Sequence, residues 1–80
     1  MRELIMNKQR RQAIYNAIQK IETVRDLVQN IYDDEQEAFE NMPESLQTYE
    51  NGEISEAAQE SLEAAIDALE EAIGCLEEIE

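Results

Sequence analysis

Carboxylates dominate the chemistry that this 80-residue chain could offer, with 20 Asp and Glu in all. The densest group is Asp33, Asp34, Glu35, Glu37 and Glu40. Clustered carboxylates are what a hard divalent cation needs. Their spacing, however, is neither that of an EF-hand loop nor that of a Glu-x-x-His di-iron helix, so a solvated acidic face accounts for them with less. There is no histidine, and a Ser, Thr or Cys nucleophile would have only a carboxylate or a lysine as its base. The one cysteine, Cys75, falls at the edge of an apolar strip and reads as a buried, inert thiol. Gly52 and Gly74 stand alone, so no glycine-rich phosphate loop is present, and Gly74 serves either a close backbone approach or nothing. The chain therefore reads as non-enzymatic, with no catalytic residue, cofactor or metal assigned.

Charge is a sharper signal. All six cations lie in the first 25 residues, whereas residues 33–80 hold 17 acids and no Lys or Arg, for a net charge of −14. Such a surface repels nucleic acid and anionic membrane and suits a partner protein with a basic surface. The plainer reading is that the acid only keeps a small protein in solution. Lys8, Arg10, Arg11 and Lys20 form a weak basic group. They would either hold a small anion such as a nucleotide or pair with acids of a neighbouring chain.

The elements that must position these charges are helical. From Ser55 to Glu80, Leu62, Leu69 and Leu76 recur one heptad apart, with Ala58, Ala65, Ala72 and Ile79 in a second row. Ile66 and Ile73 stand beside them, which marks an amphipathic helix. Leu62, Ile66, Leu69, Ile73, Leu76 and Ile79 are its expected oligomer seam. Glu63, Asp67, Glu70, Glu71 and Glu78 point away from that strip, so folding has little use for them, and they are the candidate partner-binding surface.

Upstream, residues 7–40 read as one long helix. Ile14, Ile21 and Val28 hold one row, and Ala17, Val24, Ile31 and Ala38 the next. Ile18, Tyr32 and Phe39 widen the stripe, and Arg25 interrupts it. Pro43 ends this helix and opens a short helical piece, Asn51-Gly52 marks a turn, and Ser55 is the expected N-cap of the helix over residues 55–80. That makes residues 41–54 a long connection of the kind that often carries function. Residues 1–5 read either as a translated leader ahead of a natural start at Met6, since Arg2-Glu3 suits a purine-rich ribosome-binding tract, or as the approach to the first helix.

The predicted fold class is all-α: a two-helix antiparallel hairpin with a short helical piece in its connection, forming a single helical domain. A chain this short has too little core to stand easily alone, so a helical bundle of two or more copies is expected. A lone cysteine, no secretory signal pattern and no membrane-length apolar run point to a cytoplasmic protein, without membrane or direct nucleic-acid binding.

The segment from Asp33 to Gln47, DDEQEAFENMPESLQ, resembles the connection in a family of small, mostly uncharacterised acidic helical proteins of phages and prophages of Gram-positive bacteria. The likeness rests on Glu37, Phe39, Asn41, Pro43, Glu44, Leu46 and Gln47, followed by Asn51-Gly52 and the acidic Leu/Ala helix. It implies an accessory protein that binds and inhibits a host or anti-phage defence protein, with an acidic face that mimics nucleic acid. Two alternatives stand beside it: an oligomeric sponge that holds an anionic signalling nucleotide at the basic N-terminal region, and a structural or assembly factor.

Overall fold

A computed structural model describes residues 8–79. The leader segment 1–5, the Met6 start, the helix start at residue 7 and Glu80 lie outside the described residues. Three helices follow one another: α1 (Lys8–Glu40), α2 (Glu44–Gln47) and α3 (Glu50–Glu77), and there is no strand among the described residues.

α1 runs 33 residues, about 50 Å at the usual rise, because nothing in it breaks the backbone ladder. It stops where Pro43 takes an extended backbone (φ −56°, ψ 142°). The Pro43 carbonyl then accepts the Leu46 and Gln47 N–H groups at 2.8 and 3.1 Å, which builds α2. Gln47 ties this elbow to α1: its side-chain amide donates to the Phe39 and Met42 carbonyls at 3.1 and 3.0 Å. Those are carbonyls at and beyond the end of α1, where the helix leaves acceptors without partners of its own.

α3 begins at Glu50 rather than Ser55, so the connection spans 41–49 instead of 41–54. Asn51-Gly52 is not a turn; it lies in the first turn of α3, where Glu50 and Glu53 complement the helix dipole. The physical reason is contact. Gly52 is buried against the Gln47 backbone, and a Cβ there would overlap the Gln47 carbonyl group. Ser55 accordingly caps nothing. It is 4% exposed inside α3, and its hydroxyl donates to the Glu35 carboxylate at 2.6 Å. A bond to a charged group contributes roughly 1.5–3 kcal/mol, more towards the upper figure as water is excluded.

Contacts between α1 and α3 run in opposite chain order. Glu35 meets Ser55, Tyr32 meets Glu63, and Ile14 and Ile18 line one groove with Leu76 and Ile79. On α1 the half-buried rows are Ile14, Ile21, Val28, Glu35 and Ile18, Arg25, Tyr32, Phe39. On α3 the facing rows are Gly52, Gln59, Ile66, Ile73 and Ser55, Leu62, Leu69, Leu76, of which Gly52, Ser55, Ile66 and Ile73 are buried and the rest half-buried. Among the described residues, Ile66 and Ile73, 8% and 6% exposed, are the buried hydrophobic side chains. Of the expected seam residues, Ile66 and Ile73 are buried, Leu62, Leu69 and Leu76 are half-buried, and Ile79 is 45% exposed. The second seam row of α3 is the isoleucine row, not the alanine row: Ala65 and Ala72 are exposed, and so are Val24, Ile31 and Ala38 on α1. Cys75 is exposed as well, because it lies beyond the alanine row, away from α1.

The two glycines give opposite expectations. Gly52→Ala must push the elbow backbone aside and should destabilise the fold by roughly 1–3 kcal/mol. Gly74 has open space around its Cβ position, so Gly74→Ala should stabilise α3 by about 1 kcal/mol. Thermal melts of the two variants beside the wild type check both signs.

Candidate functional site

Three of the five candidate partner-binding acids share one groove. Glu63, Asp67 and Glu70 line it from α3, with Ile66 at its floor, while Gln29 and Tyr32 line it from α1. The helical repeat brings this about: residues 63, 67 and 70 recur at four and three, so they stack on one side of α3. All three acids are exposed. Glu71 and Glu78 are exposed outside the groove, and Glu78 also closes the end of α3 through its backbone N–H on the Gly74 carbonyl at 3.2 Å.

Glu63 is exposed and makes one long contact across the helices. The Tyr32 hydroxyl donates to its carboxylate at 3.4 Å, joining residues 31 apart in sequence. Partial burial raises the Tyr32 hydroxyl pKa above its ordinary value, and the Glu63 charge, the hydrogen bond to Glu63 and the Asp33 charge push the same way. Each effect penalises the phenolate.

Among the described residues, Arg11 and Lys20 line different depressions. Arg11 lines a groove at the other end of the helix pair with Tyr15, Glu22, Leu76 and Glu77, so it shares that groove with two acids. Lys20 lines a separate shallow depression with Asn16, Gln19 and Thr23. Lys8 and Arg10 are exposed near the start of α1. Arg25 lies half-buried in a seam row, with its guanidinium on the neighbouring Asp26 at 3.3 Å.

Among the described residues, no three of Asp, Glu, Cys or His converge as metal ligands, and no helix is long and apolar enough to cross a membrane. What the groove can do chemically is present a line of carboxylates beside one phenol and one amide. Gln29 and Tyr32 were not singled out as site residues from sequence. Their only signal was position: Tyr32 is a polar-tipped residue in a half-buried row, and such a tip seeks a partner.

Because the folded pKa of Tyr32 is raised, its contribution is complete below the unfolded tyrosine value near 10 and is lost as pH rises through the folded value. The melting temperature should therefore fall on alkaline titration above about pH 10, and Tyr32→Phe should flatten that fall while changing the neutral-pH melt little. An unchanged alkaline slope in Tyr32→Phe would show that the Tyr32 hydroxyl is not held above the ordinary tyrosine range.

No family model, curated protein or solved structure matches this chain, so its site is read from its own residues and geometry.

Proposed function

We propose that α1 and α3 form an antiparallel hairpin that assembles with further copies, and that its acidic groove binds and inhibits a basic host or defence protein. On this reading the chain is a non-enzymatic accessory protein of the phage type, acting in the bacterial cytoplasm. The observation that carries it is the alignment of Glu63, Asp67 and Glu70 along one exposed groove, in a stretch where residues 33–80 contain no cation to neutralise them. Along α3 these carboxylates rise by about 6 and then 4.5 Å. A DNA strand places one phosphate charge per roughly 3.4 Å of axis, so a side chain array built for phosphates meets a comparable series here.

Binding of this kind draws its rate from complementary potential and its lifetime from the charge pairs it desolvates. Helix stability asks for the reverse, since like charges four residues apart on one helix repel. Carboxylates that folding would rather lose are the ones to alter. The test combines Glu63→Gln, Asp67→Asn, Glu70→Gln and Glu71→Gln in one variant. Helicity should persist, while a basic protein captured from bacterial lysate by the wild-type chain should be bound at least tenfold more weakly. Equal capture by a folded variant would reduce the acidic groove to a solvated surface.

A further inference from the structure

We draw no further inference here: the strongest candidate, the exposed apolar patch of Val24, Leu27 and Ile31 along α1, carries none because nothing in the structure shows what covers it.

Discussion

Everything in this molecule depends on one narrow apolar seam, along which Ile66 and Ile73 are the hydrophobic side chains that leave water almost completely. Burying each fully is worth roughly 1.5–3 kcal/mol, whereas ordering backbone costs about 1–2 kcal/mol per residue. Two helices in contact have a single seam to fill, and no layer lies behind it. The half-buried leucines Leu62, Leu69 and Leu76 extend the seam without sealing it. The bond between Ser55 and Glu35 adds a directional contact at one end, where a slip of the helices would leave a carboxylate facing a buried wall.

The charges make that seam harder to keep. α1 has no acid in its first turn and no base in its last, so its side chains oppose its own dipole at both ends, and α3 ends without a base as well. Each helix therefore draws its stability from packing and length rather than from its termini. The acids gathered near the elbow repel within the chain and attract whatever cation another molecule supplies. A basic partner seated in the acidic groove, as proposed, would relieve that repulsion.

Much of the architecture was legible in the residues. An unbroken run ahead of Pro43 marks the long first helix, and the proline with its following Glu, Ser, Leu and Gln marks the short piece. What escaped was tertiary. Asn-Gly is a turn signal on local chemistry, yet here the glycine serves a backbone approach to Gln47 that nothing in its neighbours announces. Both long helices carry three apolar rows, and periodicity alone cannot say which two face inward; that depends on where the other helix lies. In α3 the choice fell on the isoleucines over the alanines, the larger side chains filling the gap. Among the candidate acids, exposure was readable from spacing, while the Tyr32–Glu63 bond joins residues too far apart in sequence for any pattern to show.

Gln47 carries a consequence of its own. Its side chain reaches back only five and eight residues to Met42 and Phe39, and its backbone receives Gly52 five residues ahead. These are the most local contacts between elements in the chain, and loops this short close at the least entropic cost. The elbow can therefore form before the distant seam does, and it sets the register in which the isoleucines then meet. A chain that closes first at residues 39–52 would zip outward from the elbow, with the end where Ile14 and Leu76 line one groove the last to meet.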